Sequence, residues 1–271
     1  MLLGRNGQVV GREAERVNET NDLPVGVFGA EGRMGRLVCD ALEAAPGLSV
    51  VARIGRTTDR EAAAAARVVV DFTTADAAME NAAWALDRGM DVVIGTTGLT
   101  RSHHADLEAR LRRTPGASVL VVPNFSISAM LASSFAATAA KYFEYAEILD
   151  LTHPGKVDAP SGTAAEAAQA MDEARRQAGR TGPSPDATSP EGVAARGMRV
   201  GDVPIHSIRM RGLVSHLEVL LTNAGEQLTI RCDTRDRSAF MPEVVRAVGF
   251  AREHSGLFVG LASLHEQGDR P

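Results

Sequence analysis

His153, Lys156, Asp158, Ser161 and Thr163 fall within the fourteen residues LTHPGKVDAPSGTA (151–164), spaced by Pro154, Gly155, Pro160 and Gly162. One ammonium, one imidazole and two hydroxyls are thereby gathered in a loop that ends an apolar run. A helix read over 163–178 starts inside the same stretch. Asp158 is expected to order its own loop by accepting backbone N–H bonds.

A second cluster suits a phosphate. GAEGRMG places Gly29, Gly32 and Gly35 between strand-like PVGVFG (24–29) and helix-like RMGRLVCDALEAA (33–45). Its spacing, G-x-x-G-x-x-G, lacks the second glycine of the usual G-x-G-x-x-G, where Ala30 stands. The physics survives that change: a tight turn, backbone amides near a pyrophosphate, and a helix N-terminus that favours anions. Alone the motif also describes a glycine-rich turn; the strand–turn–helix setting favours the dinucleotide. Gly29, Ala30, Glu31, Gly32, Arg33 and Met34 are the candidate residues.

The next strand ends Ala52-Arg53-Ile54-Gly55-Arg56, without the acid that usually holds the ribose hydroxyls of NAD. Arg53 or Arg56 can clamp a 2′-phosphate instead, a charge-assisted contact worth about 1.5–3 kcal/mol. The expected cofactor is NADPH, with NADH possible and Arg53 the candidate; two solvated arginines are the alternative. GTTG (95–98) and PNFS (123–126) follow strands at the carboxyl edge of the sheet, where doubly wound folds bind ligands. Gly95, Thr96, Thr97, Pro123, Asn124 and Phe125 read as one wall of a nicotinamide pocket.

The positioning elements follow from periodicity. LSVVAR (48–53), RVVVDF (67–72), DVVIG (91–95) and SVLVVP (118–123) read as buried strands. Helical patterns over 33–45, 74–89 and 103–113 separate them, with Thr74 a possible N-cap and Gly89 a plausible stop. The fold class is α/β: a doubly wound parallel sheet with helices on both faces. After Asn124 come a helix over 128–143, a strand over 146–151, the loop and its helix. A turn-rich segment (179–192) and three period-two strands (HSIRM, SHLEVLLTN and EQLTIRCDT) follow, which predict a second α+β domain with an open, mostly antiparallel sheet. The tail over 238–254 is helical and is expected to pack back on the first domain. The division expected is 1–22 a disordered extension, 23–127 with 237–271 the dinucleotide domain, and 128–236 the substrate-binding and oligomerisation domain.

A net charge of −5 over 271 residues argues against a nucleic-acid binder. No apolar run reaches the roughly 20 residues that span a bilayer, and the first 22 residues lack the apolar centre of a secretory signal. Cys39 and Cys232 lie far apart, which fits a reducing cytosol and gives no disulfide framework. No metal site is expected: His103 and His104 are adjacent on a helix and point apart. His206 and His216 read as structural, although His216 can line the pocket; Arg209 and Arg211 face the pocket or solvent. An NADP-linked alcohol oxidoreductase would need a Tyr-x-x-x-Lys acid, which Tyr142 and Tyr145 do not form.

VGVFGAEGRMG, VIGTTG, PNFS and KVDAPSGTA stand in one order, and that set closely resembles the dihydrodipicolinate reductase (4-hydroxy-tetrahydrodipicolinate reductase) family of the diaminopimelate and lysine pathway. The likeness runs from about Pro24 to the end, includes IRMRGLVSHLEVLL, and is closest to actinobacterial members. KVDAPSGTA is its specific part. The resemblance implies a Rossmann domain, a second mixed α/β domain, a cytoplasmic homotetramer, and hydride transfer from NAD(P)H to a cyclic unsaturated imine dicarboxylate. It implies that Lys156 and Ser161, Gly162 and Thr163 hold a substrate carboxylate, with His153 touching the same ligand.

One position departs from the pattern. The family normally reads His-His before the lysine, with the first histidine proposed as the proton donor or acceptor; here the pair is Thr152-His153. A positioned acid contributes about 10²–10⁴-fold, and a threonine hydroxyl is too weak to replace imidazolium. Thr152 can orient a water, leaving the proton to Lys156 or His153. Three readings follow: a working reductase, a scaffold retuned to a related carboxylated imine or enamine, or a weakly active NADPH- and anion-binding homologue.

Overall fold

The computed structural model describes residues 22–266, so the extension expected at the amino terminus lies, Asp22 apart, outside the described residues. In the first half, β1 (Leu23–Phe28), β2 (Leu48–Ile54), β3 (Val68–Asp71), β4 (Asp91–Ile94) and β5 (Ser118–Val121) alternate with α1 (Arg33–Ala44), α2 (Ala75–Leu86) and α3 (Arg101–Leu111). Then come α4 (Ile127–Ala140), β6 (Tyr145–Thr152), α5 (Gly162–Gln177), β7 (Met198–Val200), β8 (Val203–Arg209), β9 (Ser215–Asn223) and β10 (Glu226–Thr234). The chain closes with α6 (Met241–Glu253), β11 (Gly256–Val259) and α7 (Ala262–Glu266).

The first sheet has the order β11-β5-β4-β3-β1-β2 and is parallel throughout. Every residue of β3, β4 and β5 is buried, as strands covered on both faces require. Val38 and Leu42 of α1 and Val244 and Val248 of α6 pack on one face; Ala82 and Leu86 of α2 and Leu107 of α3 pack on the other. Each large aliphatic buried there contributes about 1.5–3 kcal/mol. From β1 the chain passes to β2 on one side and β3 on the other. The switch point therefore opens at the carboxyl end of β1, beside the glycine turn.

Two strands lie outside the sequence expectation. GLFV of β11 joins the edge of the first sheet beside β5, and MRV of β7 edges the second. Both are too short to show a period of two.

The second sheet runs β10-β9-β6-β8-β7. Three of its pairings are antiparallel, but β6 and β8 are parallel. That pairing follows from α5, whose crossover returns the chain to the same edge in the same direction. Ala146, Ile148, Asp150 and Thr152 face inward towards α4 and α5. The opposite face carries half-buried Leu149, Leu151 and Leu220 among charged residues.

Candidate active site

The glycine turn is built by steric necessity. Gly29 has φ +76°, and a Cβ there would come 2.6 Å from the Phe72 carbonyl oxygen. A Cβ on Gly35 would come 2.1 Å from the Gly29 carbonyl oxygen, so the first turn of α1 can close on the loop only without a side chain. Gly32 is the N-cap, no side chain caps it, and no acid occupies the first turn. The unclaimed amides and the positive end of α1 meet the requirements of a pyrophosphate. Ala30 is buried, Glu31 and Arg33 are exposed, and Met34 is half-buried.

Asp71, at the end of β3, organises the neighbouring loops. Its buried carboxylate accepts the Thr73 amide at 2.9 Å, the Thr73 hydroxyl at 2.6 Å, Asn81 Nδ2 at 2.8 Å and Thr96 Oγ1 at 3.1 Å. GTTG is thus tied to the strand end. Gly95 lies against Phe72, whose ring a Cβ would strike at 2.2 Å. Across the cleft, Asn124 accepts the Ser126 amide at 3.0 Å and donates to Thr163 Oγ1 at 2.8 Å, joining PNFS to the start of α5.

The cradle after β6 hangs on Asp150, which is 1% exposed. Its carboxylate accepts the Ser161 amide at 2.8 Å, Ser207 Oγ at 3.1 Å and Arg209 Nη2 at 2.9 Å. Ser161 spends its hydroxyl capping α5 through the Ala164 amide at 3.2 Å. Gly162 and Thr163 then present the first turn of α5 to the cavity. Lys156 is 2.8 Å from Asp158. Burial alone would raise the Asp158 carboxyl, but the hydrogen bond and charge of Lys156 hold it below its ordinary value.

Thr152 ends β6 in the wall of the cavity, 2% exposed, and its hydroxyl has no hydrogen-bond partner. Beside it, desolvation and the charges of Arg237, Arg33, Lys156 and Arg209 push the His153 imidazole below its ordinary pKa, so the neutral ring is favoured.

GTTG, PNFS and the cradle line one cavity of about 740 Å³, to which Arg33, Met34 and Thr152 also contribute. That volume is of ligand size. Residues not anticipated from sequence join them: Phe72, Ser215, Glu166, Arg237 and Phe240. Two of these had legible signals. Glu166 follows Thr163 by one helical turn, and Ser215 pairs with Thr152 across the sheet. Arg237 carries none, being brought in by the returning tail. Glu166 is the only carboxylate among the described lining residues, and desolvation pushes it up.

Other candidate residues are held by partners of their own. Arg53, half exposed, forms an ion pair with Glu43 of α1 at 2.5 Å, and strand alternation turns it away from buried Ala52 and Ile54. His216 pairs with Asp233 at 2.7 Å on the sheet face opposite Thr152, so Ser215 and not His216 lines the cavity. His103 completes a capping box with Thr100, His206 pairs with Glu147 at 2.8 Å, and Arg209 faces inward to Asp150.

A profile described as "Dihydrodipicolinate reductase, N-terminus" matches residues 23–125, and one described as "Dihydrodipicolinate reductase, C-terminus" matches residues 128–264. The 4-hydroxy-tetrahydrodipicolinate reductase of Cutibacterium acnes is 47% identical over 242 residues, covering 89% of this chain and 98% of the relative. That of Beutenbergia cavernae is 48% identical over 240 residues, covering 88% and 97%. The dipicolinate-bound dihydrodipicolinate reductase of Paenisporosarcina sp. TG-14 superposes with a TM-score of 0.74 at 28% identity, covering 89% of this chain and 98% of that one. Apo scyllo-inositol dehydrogenase of Lactobacillus casei, with a TM-score of 0.57 at 9% identity over 90% and 92% of the two chains, shares the fold alone. With both halves matched in sequence and in three dimensions, the chain belongs to the dihydrodipicolinate reductase family.

Proposed function

We propose that this protein is the 4-hydroxy-tetrahydrodipicolinate reductase of the diaminopimelate and lysine pathway, reducing a cyclic unsaturated imine dicarboxylate with a nicotinamide cofactor. The observation that carries this reading is the single cavity in which the GTTG and PNFS loops face the KVDAPSGT cradle. A bound nicotinamide supplies the hydride. Gly29 to Met34 hold the pyrophosphate at the amino end of α1, and Gly95 to Thr97 with Pro123 to Phe125 seat the nicotinamide end.

The residues of the cradle divide the remaining work. Gly162 and Thr163 offer the positive end of α5 to one substrate carboxylate. Lys156 adds a point charge and delivers the proton that the carbon skeleton takes up as hydride arrives. His153, held neutral, hydrogen-bonds the ligand without adding charge. Thr152 orients a water through its unpaired hydroxyl, which bridges to Lys156.

The unit boundaries proposed are 23–127 with 237–271 for the cofactor and 128–236 for substrate and assembly. The second sheet leaves Leu149, Leu151 and Leu220 without a covering helix among the described residues, and we propose that it pairs with copies of itself in a homotetramer. Light scattering after gel filtration tests the assembly. No helix among the described residues is long and apolar enough to cross a membrane, and we propose that the enzyme works in the cytoplasm.

The decisive assay couples freshly made dihydrodipicolinate synthase product to cofactor oxidation. Turnover of about 1 s⁻¹ or faster is the expected outcome. Tight binding of pyridine-2,6-dicarboxylate with no turnover would reject the reading in favour of a related substrate.

A further inference from the structure

A dinucleotide fold that selects NADH places an acid at the end of the second strand, where it holds the ribose hydroxyls and opposes a 2′-phosphate. β2 here ends at Ile54 and is followed by Gly55 and Arg56, with no acid in line. The structure fills that place from another part of the chain. Glu31, in the turn between β1 and α1, lays its carboxylate directly over Gly55. A Cβ built on Gly55 would meet the Glu31 carboxyl carbon at 2.3 Å and its two oxygens at 2.4 and 2.7 Å. Gly55 thus gives Glu31 room to cover the strand end.

Two of the three nearby cations are directed elsewhere. Arg53 is spent on Glu43. Arg33 lines the cavity shared with the 153–163 loop. Arg56, beside Gly55, is exposed, as Arg33 and Arg53 are.

We propose that Glu31 is the cofactor-specificity residue of this enzyme: it accepts the adenine-ribose hydroxyls of NADH and repels the 2′-phosphate of NADPH. The proposal rests on the reading that a nicotinamide dinucleotide binds the glycine turn. It reverses the preference that Arg53 suggested in the sequence. A 2′-phosphate brings about −1.5 to −2 charges, and a carboxylate in contact with it adds like-charge repulsion at a surface where salt screens it.

The test is direct binding, by isothermal titration of NADH and NADPH into the full chain without substrate. Wild type is expected to bind NADH at least tenfold more tightly than NADPH, with the gap narrowing as salt rises. Glu31→Gln should shrink the ratio to near one, and Glu31→Arg should invert it. Gly55→Ala, whose methyl displaces the carboxylate, should reduce the ratio without touching Glu31. Arg53→Ala should leave it unchanged. NADPH binding as tight as NADH in wild type, or a ratio indifferent to Glu31→Arg, overturns the proposal. If neither nucleotide binds wild type, the cofactor reading itself fails as well.

Discussion

Arg209 and Asp150, on neighbouring parallel strands, close the floor beneath the 153–163 loop. Arg209 Nη2 is 2.9 Å from Asp150 Oδ2, while Nη1 donates to the Asp150 carbonyl at 3.0 Å. The same guanidinium reaches the Asp158 carbonyl at 3.0 Å. One side chain therefore ties β6, β8 and the 153–160 loop together.

Removing Arg209 strands a carboxylate that is 1% exposed. Arg209→Ala should cost about 3–5 kcal/mol of stability, the usual penalty for leaving a buried charge unpaired. Arg209→Lys keeps the charge but not the fork. It should retain most of the stability yet raise KM, because the loop loses its anchor at Asp158. Chemical denaturation beside steady-state kinetics separates the two effects.

Thr152 presents an unpartnered buried hydroxyl. Thr152→Val keeps the shape and removes the orphan group, so stability should stay within about 1 kcal/mol of wild type or rise. If the hydroxyl orients a catalytic water, kcat should fall about tenfold with KM little changed. Thr152→His should increase kcat by restoring an acid at this place. A Thr152→Val enzyme with wild-type kcat would remove Thr152 from the mechanism.

His153 titrates below its ordinary value of 6.5 because desolvation and four surrounding cations oppose its charged form. The folded state then binds fewer protons than the unfolded one, so the contribution of this ring to stability declines as pH falls through about 6.5 and below. An NMR titration should place its midpoint under 6.5 in the free enzyme. Pyridine-2,6-dicarboxylate, which brings negative charge, should move the midpoint up. No movement would mean that His153 does not face the ligand.

Glu166 is shifted the other way: desolvation raises its carboxyl above 4.5. Its folded state holds the proton more tightly than the unfolded chain. The stability it contributes is complete below about pH 4.5 and is lost as pH rises through the folded value. Glu166→Gln should therefore leave the melting temperature unchanged at pH 4 and raise it at pH 7. The variant should also bind a dicarboxylate more tightly, since the pocket loses a like charge.

The proposed function gives Lys156 both a binding and a proton-transfer role. Lys156→Met should lower kcat/KM by about 10²–10⁴-fold and weaken dicarboxylate binding in a titration. Loss of binding without loss of kcat at saturation would reassign the proton to another group.

Most of the first sheet and the whole cradle could be read from local order. β3, β4 and β5 each carry a short apolar run, because burial on both faces disfavours polar residues, and α1 shows its stripe at Val38 and Leu42, because burial on one face imposes a helical period. Gly35 was legible for a related reason: a Cβ there would strike the Gly29 carbonyl, a constraint that acts within six residues, whereas the clash that Gly29 avoids is with the distant Phe72 carbonyl. KVDAPSGTA likewise works through neighbours along the chain, with Ser161 capping the helix that Gly162 begins.

What no local pattern determines is which face a side chain meets after the strands pair. Arg53 and Glu31 are the instructive case. The sequence presented an arginine at the strand end and no acid, but pairing and twist send Arg53 outward to Glu43 and bring Glu31 over Gly55. Asp150 and Arg209 meet across 59 residues, and Arg237 enters the cavity from the returning tail. The sequence by itself determined the elements, the glycine turn and the cradle, because short-range sterics and periodicity act between near neighbours. Only the tertiary structure decided which charges face the cofactor and which support the site, because that depends on contacts between segments far apart in the chain.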